Sequence, residues 1–196
     1  DALELFVESV KETKYQMGRD VFLGLDVAAD SFYKDGGYQI RDKSTPLDDN
    51  GLLEYYKAIN SQYHLAVREE PFYEDGWGSW KKLTAELGSQ ITIVGDDLLA
   101  TNPKRVQKAI AEKTCNAVLI KPNQIGTISE TLSVIKMAKE AGWKVIVSHR
   151  SGETNDTFIA DFAVGVGADY VKFGAPARGE RVAKYNRLSS IENETH

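Results

Sequence analysis

The chain has 196 residues, 42% of them hydrophobic and 27% charged, a make-up suited to a globular core and unlike a disordered tail. Its 29 acidic against 24 basic residues leave a net charge of -5, which argues against a broad nucleic-acid-binding surface. No apolar run reaches the roughly 18 residues of a membrane span, the start Asp1-Ala2-Leu3-Glu4-Leu5 has no signal-peptide pattern, and the single cysteine, Cys115, reads as a packed thiol in a reducing, cytoplasmic compartment.

In chain order, an opening helix is expected first, then a β-rich run at Val21–Asp26. Further runs follow at His64–Glu69, Ile91–Asp96, Ala117–Lys121, Lys144–His149 and Asp169–Lys172. Between them lie apolar residues at helical spacing, such as Leu132, Ile135 and Ala138, or Phe158, Ile159, Phe162, Ala163 and Val166. Asn102 before Pro103 marks one helix start. Thr127-Ile128-Ser129-Glu130 is a capping box for another, which Gly142 closes. Strand ends recur about every 23 to 28 residues after a first step of about 43, and such strand-plus-crossover repeats require a mainly parallel sheet. The predicted class is α/β.

An open doubly wound sheet and a closed barrel both satisfy this pattern. No glycine-rich phosphate loop follows any strand, whereas a polar residue ends strand after strand, and in a (β/α)8 barrel those ends share a mouth. The expectation is an incomplete (β/α)8 TIM-type barrel of about six strand-helix units, forming a single domain over residues 1–196. A full barrel usually takes about 250 residues, so about two strands are short, and open edges would need a partner chain, self-association or a rearranged sheet.

The six ends are Asp26, Glu69, Asp96, Lys121, His149 and Lys172, three carboxylates followed by three bases. Carboxylates without His or Cys form a hard oxygen site suited to Mg²⁺. Glu70 and Asp97 adjoin two of these ligands, and side-chain alternation should turn only one of each pair into the mouth. Lys121 ends an apolar strand where partial desolvation suits a base. His149-Arg150-Ser151 suits the oxygens of a phosphate monoester or a carboxylate, and Lys172 a second anion.

These stretches resemble the enolase family through nearly the whole chain: Gly24-Leu25-Asp26, Glu69-Glu70-Pro71-Phe72, Gly95-Asp96-Asp97-Leu98, Leu119-Ile120-Lys121-Pro122-Asn123-Gln124, Ser148-His149-Arg150-Ser151-Gly152-Glu153-Thr154 and Lys172-Phe173-Gly174-Ala175-Pro176. The family usually has Glu-Asp where this chain has Glu69-Glu70. The resemblance implies that Asp26, Glu69 and Asp96 bind magnesium, that Lys121 removes the proton beside the substrate carboxylate, that Arg150 and Ser151 hold phosphate, and that His149 and Lys172 line the substrate. The implied reaction is dehydration of 2-phosphoglycerate to phosphoenolpyruvate. The family's capping domain, first barrel strands and general-acid region precede the matched stretch, so a complementary amino-terminal portion is the expected partner and the isolated chain is expected to be slow or inactive. The competing readings are an inactive enolase-derived assembly module and a magnesium-dependent barrel acting on a phosphate-free carboxylate.

Overall fold

A computed structural model describes residues 2–41 and 43–195, which divide into two compact units: Asp1–Val94 with Lys113–Cys115, and Gly95–Glu112 with Asn116–His196. Each of the six expected β-rich runs contains a parallel strand, shorter than the run itself.

The first unit opens with α1 (Ala2–Lys11). Its strands β1 (Gly24–Asp26), β4 (Val67–Glu69) and β5 (Thr92–Gly95, in this unit through Val94) are aligned in parallel, Gly24 beside Val67 and Val67 beside Thr92. Between β1 and β4 a 3-10 turn (Ala29–Phe32) leads into a small antiparallel hairpin, β2 (Tyr33–Lys34) and β3 (Gly37–Tyr38), absent from the expected elements. Its turn is Asp35-Gly36, both at positive φ, a pair that matches the twist of a two-residue hairpin. α2 (Asp49–Tyr63) starts at Asp48, whose carboxylate accepts from Gly51 N at 2.7 Å. α3 (Trp77–Leu87) buries Trp80, whose indole donates to the Tyr73 carbonyl at 3.1 Å. Tyr33, Tyr38, Tyr56, Phe72 and Tyr73 form a chain of ring contacts with centroids 4.7–5.9 Å apart.

The second unit carries α4 (Pro103–Glu112), β6 (Ala117–Ile120), the short α5 (Pro122–Ile125), α6 (Ile128–Glu140), β7 (Lys144–Ser148), α7 (Phe158–Gly165), β8 (Tyr170–Lys172) and α8 (Gly179–Thr195). β6, β7 and β8 run parallel, with Ile120 beside Val147 and Val147 beside Val171. All four residues of β6 are buried, as expected of a parallel strand covered on both faces. The expected caps are present: Asn102 Oδ1 accepts from Lys104 N at 2.9 Å, and Thr127 Oγ1 accepts from Glu130 N at 3.2 Å. Gly142 follows α6 at φ +74, letting Trp143 N reach the Ala138 carbonyl. The buried face of α6 is Thr131, Val134, Ile135 and Ala138, so Leu132, expected inside, lies 45% exposed. Cys115 is buried and in no disulfide. No helix among the described residues is long and apolar enough to cross a membrane.

Candidate active site

In the first unit, Asp26 and Glu69 are register partners in β1 and β4, so two of the expected metal ligands stand side by side on adjacent strands. Glu69 is buried and Asp26 exposed at the end of its strand. Backbone bonds lock the turns beyond them: Val27 N donates to the Glu69 carbonyl at 2.9 Å and Ala29 N to the Glu70 carbonyl at 3.1 Å. Ala28 and Glu70 sit at φ +45, a conformation that side-chain-bearing residues adopt only where their surroundings impose it and that clusters at functional strand ends. Glu70 is as buried as its neighbour, so burial alone does not rank the pair.

In the second unit, two more expected residues meet. Lys121 Nζ lies 2.6 Å from both carboxylate oxygens of Asp96, with each side chain little exposed. Burial separates this pair: Asp96 is buried and its neighbour Asp97 exposed. The lysine is placed by its own backbone: Pro122 forces an extended residue before it, and Lys121 takes φ -127 and ψ 95, turning the chain from β6 into α5. Lys121 N also donates to Thr101 Oγ1 at 3.0 Å, and Thr101 in turn donates to Gln124 Oε1 at 2.9 Å. Thr101 is fully buried at φ +50, so a second strained turn supports this lysine. Asp96 thus accepts from the Lys121 ammonium with both oxygens, and a carboxylate of this kind is an oxygen donor compatible with a hard divalent ion.

The remaining expected residues sit around the ends of β7 and β8. His149 N donates to the Lys172 carbonyl at 3.0 Å, joining the two strand exits. The imidazole Nδ1 is buried with no hydrogen-bond partner among the described residues. Burial holds the ring below its ordinary pKa; Glu153 opposes this, and the cations Arg181, Lys184 and Lys172 reinforce it. Gly174, at φ +82, leaves room here: a Cβ would come within 2.7 Å of Arg181 and 2.9 Å of His149. Arg150 is exposed, its guanidinium donating to Asn123 Oδ1 at 3.1 Å, and Ser151 is exposed beside it. The setting is cationic, with Arg150 and Lys172 from two strand exits and Arg181 and Lys184 from one helix, a field that attracts anions.

The pattern of strand-end residues did not single out Thr101, Asn123, Glu153, Arg181 or Lys184. The first three fall inside or beside the quoted motifs. Lys184 carries no local signal, because a lysine in the polar sequence of α8 reads as a surface residue until the helix is packed. Among the described residues no group of three or more His, Cys, Asp or Glu side chains is close enough to hold a metal ion.

Comparison with known proteins gives a family model described as "Enolase, C-terminal TIM barrel domain" matching residues 1–196. An enolase of Solanum lycopersicum is 51% identical over 201 residues, covering 99% of this chain and 45% of that protein. An enolase of Acidothermus cellulolyticus is 46% identical over 194 residues, again 99% and 45%. The chain therefore spans about half the length of these relatives, and its α/β fold with six parallel strands is that of an incomplete (β/α)8 TIM-type barrel. By that match over its whole length, the chain belongs to the enolase family, in the carboxyl-terminal barrel region.

Proposed function

We propose that the chain supplies the metal ligands, base and phosphate site of an enolase-type phosphopyruvate hydratase, a glycolytic, cytoplasmic lyase dehydrating 2-phosphoglycerate to phosphoenolpyruvate. The observation that carries this reading is the pairing of Lys121 with Asp96, a candidate base held against a candidate metal ligand in a poorly exposed setting.

Although no group of three or more His, Cys, Asp or Glu side chains among the described residues stands close enough to hold a metal ion, Asp26, Glu69 and Asp96 are the proposed ligands of Mg²⁺ on the strength of their all-oxygen chemistry and of the family match. When bound, the ion supplies positive charge against the charge that builds on the substrate carboxylate as the neighbouring carbon is deprotonated. The Lys121 ammonium would compete with the ion for the Asp96 carboxylate, and losing that carboxylate would free the lysine side chain. Lys121 Nζ, once one ammonium proton has passed to solvent, is the group proposed to take the proton next to the carboxylate, and the electron pair of the broken C–H bond passes toward the carboxylate oxygens. Expulsion of the β-hydroxyl as water needs a proton from an acid, assigned here to the amino-terminal portion of the family, on the same polypeptide or on a separate chain. Arg150 and Ser151 grip the phosphate, while His149 and Lys172 line the substrate. Burial favours the neutral ring of His149, leaving the fixed positive charge of that half to the arginine and lysines.

The test is formation of the enol phosphate, followed by its absorbance, with native polypeptide, Mg²⁺ and 2-phosphoglycerate. Product should form only with the metal, and Lys121→Ala should lower kcat by about a thousandfold, in the range typical of losing a general base. A wild-type protein that makes no product even with the amino-terminal portion present, or a Lys121→Ala variant at wild-type rate, would overturn the assignment.

A further inference from the structure

The most unusual side chain of the second unit is Lys184, on α8. It is completely buried, yet its ammonium has three oxygen partners: Glu153 Oε2 at 2.9 Å, the Thr154 carbonyl at 2.9 Å and the Glu180 carbonyl at 2.8 Å. An ammonium has three N–H donors, so each is used. The other oxygen of Glu153, Oε1, accepts from Arg150 N at 2.8 Å. One carboxylate thus ties the beginning of the 150–154 loop to α8, and the lysine that it meets ties down the end of the same loop. What projects from the closed loop are Arg150 and Ser151, both exposed.

Taking a lysine and a glutamate out of water costs several kcal/mol, which apolar residues of the same size would avoid, so the pair is poorly accounted for as a packing device. Its geometry accounts for it better as a support. Exposed ligand-binding groups on a loop are only as well placed as the bonds beneath them. Here the bond to Arg150 is made to the backbone N–H of the very residue whose guanidinium is braced on Asn123.

Building on the phosphate site proposed above, we infer that Glu153 and Lys184 are positioning residues for phosphate: the pair fixes the loop in the shape in which Arg150 and Ser151 grip a phosphate monoester. Neither touches the substrate. The pair should therefore control affinity for the phosphate group more than the proton-transfer step.

Inorganic phosphate is the probe, titrated calorimetrically into the native full-length polypeptide with Mg²⁺ present, alongside steady-state kinetics. Glu153→Gln and Lys184→Met are each expected to weaken phosphate binding and raise KM by about tenfold, with kcat within about threefold of wild type. The double variant Glu153→Gln/Lys184→Met leaves no buried charge without a partner, which guards against misfolding of either single variant. Because the pair acts as one unit, it should bind phosphate about as weakly as each single variant, not a hundredfold worse. Wild-type phosphate affinity in the folded double variant would overturn the inference. Arg150→Ala separates this failure from failure of the underlying reading: if Arg150→Ala loses phosphate and the double variant does not, only the support role falls; if Arg150→Ala also keeps it, the phosphate site itself is misassigned.

Discussion

Arg68 illustrates how little a buried residue's fate shows in the sequence around it. Alternation in the run ending at Glu69 turns Arg68 to the opposite side of β4, as the period-2 rule requires, but nothing local indicates that this side is sealed. The guanidinium is fully buried, stacked 4.2 Å over the Tyr56 ring, with one long bond of 3.4 Å to the Tyr56 carbonyl. Its Nε and Nη1 have no partner among the described residues, and burial pulls the group down to about 10. The stacking contributes about 0.5–2 kcal/mol, less than the cost of two buried donors left without acceptors. Arg68→Met, similar in length and apolar, should therefore raise the unfolding free energy by about 1–3 kcal/mol, read as a higher urea midpoint with an unchanged slope. A lower midpoint would mean that the stack on Tyr56 outweighs the orphaned donors. Asp96 and Lys121, by contrast, were legible, because strand ends of a barrel-like repeat are where polar residues following apolar runs have a reason to be.

At the scale of elements, the features written in local chemistry were the readable ones. Asn102 and Thr127 accept from the first-turn amides of α4 and α6 because their short side chains reach those groups and no others need to move. The Thr127 box departs from its usual form: the hydroxyl also donates to Glu130 Oε2 at 2.6 Å, so the glutamate is held by the cap itself. Thr127→Ala removes both bonds and should cost about 1 kcal/mol, while Thr127→Ser should cost less, measured by thermal unfolding of the two variants. Equal loss in both would show that the methyl group of Thr127, not its hydroxyl, is what matters. The inward face of α6 was misjudged by one position, because Leu132 and Thr131 are neighbours in sequence and only packing decides that the threonine goes inside, where its hydroxyl donates to the Thr127 carbonyl at 2.7 Å. The β2–β3 hairpin did carry a signal, Asp35-Gly36, but strands of two residues fall below what alternation can register.

For the molecule as a whole, the proposed ligands come from positions 26, 69 and 96, far apart in the chain, so an ion held by all three is bound by the folded protein and not by the unfolded chain. Magnesium should accordingly raise thermal stability, by about 2.7 kcal/mol at a hundredfold excess over its dissociation constant, and a chelator should reverse the gain. The ion pair in the second unit sharpens this into a competition. Asp96 already holds one cation, the Lys121 ammonium, at 2.6 Å, and a divalent ion at the proposed site would have to displace it. Lys121→Met removes the competitor and its like charge together, and is expected to tighten magnesium binding several-fold while destroying the proposed base. Asp96→Asn should weaken the same binding and shrink the thermal shift. Calorimetric titration of the three proteins with Mg²⁺ distinguishes the alternatives: affinity rising in Lys121→Met and falling in Asp96→Asn supports a shared carboxylate. Unchanged affinity in both would detach Asp96 from the metal, leaving the Lys121–Asp96 pair a structural salt bridge.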